Sequence, residues 1–118
     1  MSDTLIIKDL VAECRVGVLE AERQTPQKIW IDLEVSIDAA RAAARDAIEE
    51  AIDYARLVAE VRALVMRVPY RLLERVAEEV AALVLEKFAT PEVRVQVKKR
   101  ALPGIDYAAV EVRRRRAG

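Results

Sequence analysis

Four side chains stand where they could move protons or grip a polar ligand: Glu22, Tyr54, Glu74 and Lys99. Glu22 lies in GVLEAERQTPQ, residues 17–27, between two strand-like runs. That stretch exceeds the roughly 2–5 residues of a tight hairpin loop, and long polar loops on a rigid scaffold often carry function. Tyr54 follows Ile52-Asp53 at the start of a helical pattern, and Glu74 lies in the first turns of a second one, LLERVAEEVA. Lys99 shares the parity of Val93, Val95 and Val97, so it points to the side those valines bury. A lysine ending an apolar face either snorkels outward or sits in a pocket with a shifted pKa. Each residue also has an ordinary reading: a loop charge for Glu22, a packed aromatic for Tyr54, a carboxylate favouring a helix N-terminus for Glu74, and an edge-strand charge for Lys99. The chain has no histidine, which removes the commonest general base and transition-metal ligand. Its one cysteine, Cys14, cannot form an intrachain disulfide and reads as a core thiol.

The elements around these residues follow from hydrophobic spacing. Residues 4–16 predict a strand with Leu10, Ala12, Cys14 and Val16 on one face, and residues 28–38 a second. In the second, Ile29, Ile31, Leu33, Val35 and Ile37 face one way and Trp30, Asp32, Glu34 and Ser36 the other, giving a sheet with one dry and one wetter face. Trp30 is expected to be exposed, as a possible subunit contact. Residues 39–51 predict a short helix. Residues 54–68 predict a longer one, with Leu57, Val58, Val61, Leu64, Val65 and Val68 in its stripe, ended by Pro69. A third helix, about 71–88, carries Leu72, Leu73, Val76, Ala77, Val80, Leu83, Val84 and Phe88. Val93, Val95 and Val97 mark a third strand, Pro103-Gly104 a turn, and Ala108, Val110 and Val112 a fourth strand. The order predicts an α+β sandwich: a four-stranded antiparallel sheet, ββααββ, with two long helices on one face.

The 118 residues suit a single domain, 1–118, with the basic run 113–118 as a solvated strand end or tail. Twenty basic and twenty acidic residues leave no net charge, and the basic stretches lack interleaved aromatics, so no nucleic-acid role is expected. A 53% hydrophobic content argues against disorder. No apolar run approaches the ~20 residues of a membrane helix, and MSDTLIIKDL does not read as a secretory signal. With a lone cysteine, a cytoplasmic location is expected.

Four segments in order, GVLEAERQTPQKIWIDLEV, AIDYARLVAEV, RLLERVAEEVAALVLEKF and VRVQVKKRALPG, resemble the dihydroneopterin aldolase family over about residues 4–113. Gly17, Glu22 and Gln27 match its loop, Tyr54 its helix-start tyrosine, Leu73-Glu74 the head of its second long helix, and Lys99 its strand-end lysine. The Lys98-Lys99 doublet offers two candidates, and strand parity favours Lys99. Arg100-Ala101-Leu102 stand before Pro103 where the family often has an earlier proline, and Asp53 stands where relatives often carry a hydroxyl or imidazole.

The resemblance implies a tunnelling-fold subunit that closes into tetrameric rings or an octamer, with sites between subunits and Tyr54 reaching a neighbour's pocket. It implies retro-aldol cleavage of 7,8-dihydroneopterin in folate synthesis, without a metal or cofactor. Lys99, Glu22 and Tyr54 are then catalytic, while Glu74, the main chain near Leu73, Glu22 and Tyr54 bind the pterin. Two rivals remain: an epimerase of dihydroneopterin or its triphosphate, and a non-catalytic pterin-binding oligomer.

Overall fold

The computed structural model describes residues 3–117. Its elements are β1 (Asp3–Cys14), β2 (Gln27–Ile37), α1 (Ala39–Arg45), α2 (Tyr54–Met66), α3 (Leu73–Lys87), β3 (Glu92–Lys99) and β4 (Ala108–Arg115). Single 3-10 turns sit at Glu20–Arg23 and Ile48–Glu50. All strand pairs are antiparallel, in the order β1-β2-β3-β4. The period-two alternation of β2 buries Ile29, Ile31, Leu33 and Val35 completely, against Val93, Val95 and Val97 of the neighbouring strand. α2 packs on β1, and α3 on β3 and β4. Leu57, Val61, Val65, Val76, Val80 and Val84 close the same core from the helix side. Each such side chain contributes about 1.5–3 kcal/mol on full burial.

The helices stop earlier than hydrophobic spacing suggests. The predicted helix over 39–51 ends at Arg45, because Asp46 turns left-handed at φ 50° and accepts no further turn. Val68 and Leu72, expected in the apolar stripes, lie outside the helices and are exposed. Trp30, expected to be exposed, is half-buried, because the Arg100 guanidinium lies 4.5 Å from its ring centroid. The basic run reads as a strand end: Arg113–Arg115 belong to β4, and the Arg116 amide donates to the Pro91 carbonyl at 2.8 Å.

The sheet's wetter face is not uniformly wet. β1 carries a bulge between Ile7 and Leu10, with Asp9 at φ 51°. This aims the Asp9 amide at Asp32 Oδ1, 2.8 Å away. Lys98, only 5% exposed, lies on this face beside both carboxylates.

One further tie positions the site. After α2 the chain returns to the end of β1. Tyr70 N donates to Arg15 O at 2.8 Å and Gly17 N to Tyr70 O at 3.1 Å, a parallel bridge pairing Val16 with Tyr70. The Tyr70 ring is buried, with its hydroxyl on Glu79 Oε1 at 3.0 Å. The N-terminus of α3 is thereby fixed beside the loop that leaves β1.

Candidate active site

That loop is built around a missing side chain. A Cβ on Gly17 would lie 2.3 Å from Glu22 Cβ and 2.6 Å from Glu22 Oε1, so only glycine lets the Glu20–Arg23 turn fold so close to β1. The turn is held from both sides. The Arg23 guanidinium donates to the Gly17 and Val18 carbonyls, each at 2.8 Å. The Gln27 amide donates to Val16 O at 3.0 Å and Glu22 O at 2.7 Å. Leu19 N fixes one Glu22 oxygen at 3.1 Å.

The other Glu22 oxygen receives Lys99 Nζ at 3.0 Å, and the same amine donates to Val16 O at 3.1 Å. The Lys99 hydrogen bond, followed by the Leu19 amide, holds the Glu22 carboxyl below its ordinary pKa. Lys99 and Glu22 open onto a cavity of about 310 Å³ whose lining also includes Leu73, Glu74, Ala101 and Leu102. Glu74 stands in the first turn of α3 with its side chain exposed. α3 has no side-chain cap, and among the described residues the amides of Leu73 and Glu74 find no backbone acceptor. A helix start with free N–H groups beside a carboxylate offers both donors and an acceptor to one ligand.

Glu22, Leu73, Glu74 and Lys99 thus share one cavity. Tyr54 does not line it within the single chain: it opens α2 and is 63% exposed. Asp53 before it is the helix cap, its Oδ1 accepting from Ala55 N at 3.1 Å and Arg56 N at 3.2 Å. Lys98 points to the opposite face. Its Nζ contacts Asp9 Oδ1 and lies 3.1 Å from both Asp32 oxygens. Burial works to lower the Lys98 pKa, but the two carboxylates outweigh it and raise it. Burial likewise opposes ionisation of Asp32, yet the Asp9 amide and Lys98 hold its pKa below the ordinary value.

The Asp9–Asp32–Lys98 cluster and the Arg23 clamp escape sequence reasoning, which singles out Gln27 by its match to the family's loop but not the two hydrogen bonds it makes. The one available signal is that Asp32 sits on the wetter face of β2, two positions from the residue paired with Lys98. Among the described residues no group of three acidic, thiol or imidazole side chains is disposed to hold a metal ion. No helix of the described residues is long and apolar enough to cross a membrane.

An amine bridged to a carboxylate, sharing a cavity with a second carboxylate at a helix start, is equipment for acid–base chemistry. The family model of the FolB dihydroneopterin aldolases matches residues 5–113. A putative dihydroneopterin aldolase from Vibrio cholerae is 34% identical, covering 98% of this chain and 99% of its own, with a TM-score of 0.94. The Escherichia coli dihydroneopterin aldolase, solved with neopterin, is 33% identical over 95% of this chain and 98% of its own, with a TM-score of 0.91. A Burkholderia thailendensis dihydroneopterin aldolase bound to guanine is 25% identical, covering 98% and 92%, with a TM-score of 0.82. A comparison with curated protein sequences gives no significant match. The chain belongs to the dihydroneopterin aldolase family, and its activity is that of a carbon–carbon lyase of folate biosynthesis.

Proposed function

We propose that the cavity takes the pterin ring of 7,8-dihydroneopterin edge-on to Glu74 and delivers its side chain to Lys99. The observation that carries this reading is the shared cavity of about 310 Å³ joining Glu74 to the Lys99–Glu22 pair. A pterin presents a 2-amino group beside a ring N–H, and guanine presents the same edge. The relatives solved with neopterin and with guanine therefore support a site that recognises this edge. One carboxylate accepts both hydrogens in a charge-assisted pair. The free amides of Leu73 and Glu74 suit the carbonyl oxygen next to them.

Retro-aldol cleavage removes the 2′-hydroxyl proton and breaks the C1′–C2′ bond. The electron pair moves into the ring's own C=N bond, which takes the role that a Schiff base or a metal plays in other aldolases. Glycolaldehyde leaves, and protonation at C1′ gives 6-hydroxymethyl-7,8-dihydropterin. Lys99 serves as the group that accepts the hydroxyl proton, and Glu22, 3.0 Å away, belongs to the same proton-transfer network. The proton then returns to C1′. Tyr54 assists that protonation and positions the substrate from a neighbouring subunit, since within one chain it lies off the cavity. Its exposure and the two open sheet edges, β1 and β4, support closure into a ring of four or a double ring of eight. The reaction is assigned to the cytoplasm, where a free thiol such as Cys14 is kept reduced.

Glycolaldehyde release from 7,8-dihydroneopterin tests the reading. Release is expected. Inversion at C2′ alone would make the chain an epimerase, and binding with neither would make it a pterin-binding oligomer. Lys99→Ala should lower kcat by ~10²–10⁴, with neopterin affinity little changed. Glu74→Ala should weaken neopterin binding first. Unchanged affinity in Glu74→Ala would remove its role as anchor.

A further inference from the structure

β3 and β4 separate just past the cavity. Their last ladder pair is Lys99 with Ala108, and both residues line the cavity. The next residue out on each strand, Arg100 and Tyr107, points to the opposite face. There the Arg100 guanidinium lies 4.5 Å from the Trp30 ring centroid and 6.0 Å from that of Tyr107. Its Nε is 4.0 Å from Asp106 Oδ1. Lys98 Nζ also stands over the Tyr107 ring, at 5.5 Å. The segment between, 101–106, supplies Ala101 and Leu102 to the cavity wall. Among the described residues, no backbone hydrogen bond ties residues 100–107 to another part of the chain outside the β3–β4 ladder. Leu102 is 63% exposed and gains little anchorage from burial.

The wall formed by Ala101 and Leu102 therefore depends on what happens at the neck of the loop, where Arg100 links Trp30 to Tyr107 and Lys98 adds a second contact to the Tyr107 ring. We propose that Arg100 is a positioning residue for substrate binding: stacked between Trp30 of β2 and Tyr107, it pins the neck of the 101–106 loop and holds one wall of the pterin cavity. This rests on the reading of that cavity as the pterin site. A guanidinium suits the task because its plane stacks on aromatic faces, which an ammonium does not do. The stack lies across the sheet from Lys99 and Glu22, so it shapes binding without touching the proton-carrying pair. Trp30 thereby acquires a role within the subunit.

The test compares Arg100→Ala, Arg100→Lys, Trp30→Ala and the double variant Arg100→Ala/Trp30→Ala in the full chain. KM and kcat are measured with 7,8-dihydroneopterin, and Kd is measured by calorimetry with neopterin. Arg100→Ala should raise KM and the neopterin Kd by about tenfold, the scale of a lost cation–π contact. Its kcat should stay within about twofold, and the pH profile of kcat should not move. Arg100→Lys should recover only part of the affinity. Trp30→Ala should reproduce the Arg100→Ala loss, and the double variant should be no worse than either single one, because both break the same stack. Unchanged Kd in Arg100→Ala, or additive losses in the double variant, would overturn the proposal. So would a fall in kcat at constant KM. A wild-type chain that binds neopterin but releases no glycolaldehyde would sink the aldolase mechanism alone and leave the calorimetric comparison to decide this point. A wild-type chain that binds no neopterin would overturn both.

Discussion

Gly17→Ala should slow catalysis although Gly17 has no side chain to contribute. Its added Cβ would fall 2.3 Å from Glu22 Cβ, 2.5 Å from Cδ and 2.6 Å from Oε1. Ordinary carbon contacts begin near ~3.5 Å, so Glu22 has to give way by about 1 Å. The nearest clash is with Glu22 Cβ, which rotation of the side chain cannot move, so the Glu20–Arg23 turn itself must shift. That shift breaks two hydrogen bonds to the carboxylate, from Leu19 N at 3.1 Å and from Lys99 Nζ at 3.0 Å. A displacement of about 1 Å in a reacting group costs on the order of 10²-fold in rate. The overpacking itself costs about 1–3 kcal/mol of stability. The assay is glycolaldehyde release at saturating 7,8-dihydroneopterin, with a thermal melt of the same sample and Glu22→Gln as the companion variant. Both variants should be slow, and Gly17→Ala should also melt a few degrees lower. A Gly17→Ala enzyme with wild-type kcat beside a slow Glu22→Gln would refute the claim that the open space at Gly17 places the carboxylate.

Three further outcomes are expected. Lys98→Ala should keep kcat within a few-fold while losing roughly 1–3 kcal/mol of stability, because it strips the buried cationic partner from the Asp32 carboxylate and leaves it the Asp9 amide and the exposed Lys8; a catalytic collapse at unchanged affinity would show that Lys98, not Lys99, carries the proton. Burial pushes the Cys14 thiol up to about 11, and it is 1% exposed, so iodoacetamide at pH 8 should modify it only after unfolding in urea; rapid labelling of the native chain would contradict its place in the core. The carboxyls of Glu22 and Asp32 are held below their ordinary values, so their contribution to stability is complete above ~pH 5 and is lost as pH falls through the lowered values; the urea midpoint should drop on that acid side, and by less in Lys98→Ala, whereas an equal drop would detach Asp32 from Lys98.

How much of this was legible in the sequence depends on whether a residue's surroundings are local. β2 reads directly because alternation alone decides which side of a strand is dry, and Ile29 through Val35 bury as that alternation requires. Lys99 is legible for the same reason, since its parity with Val97 carries it to the helix side of the sheet, where Glu22 waits. Glu22 and Glu74 could be singled out by position, but their convergence depends on the Val16–Tyr70 bridge, a contact between distant segments with no local signal. The Asp9 bulge is illegible because nothing in its sequence marks a left-handed residue within a strand, and with it goes the ion cluster around Lys98. Leu72 matches the helical spacing of α3 but is its N-cap, extended in backbone and half exposed, because the apolar periodicity begins one residue before the helix does. The partial cover over Trp30 is illegible because Arg100 lies just past the end of β3, far from Trp30 in sequence.

The most direct test is a crystal structure of the assembled protein with neopterin bound. It should place the Glu74 carboxylate within ~3 Å of both the 2-amino group and the adjacent ring N–H, with the side chain running toward Lys99 Nζ. A ring seated in a different cavity, or turned so that its 2-amino edge faces Lys99, would contradict the account at its centre.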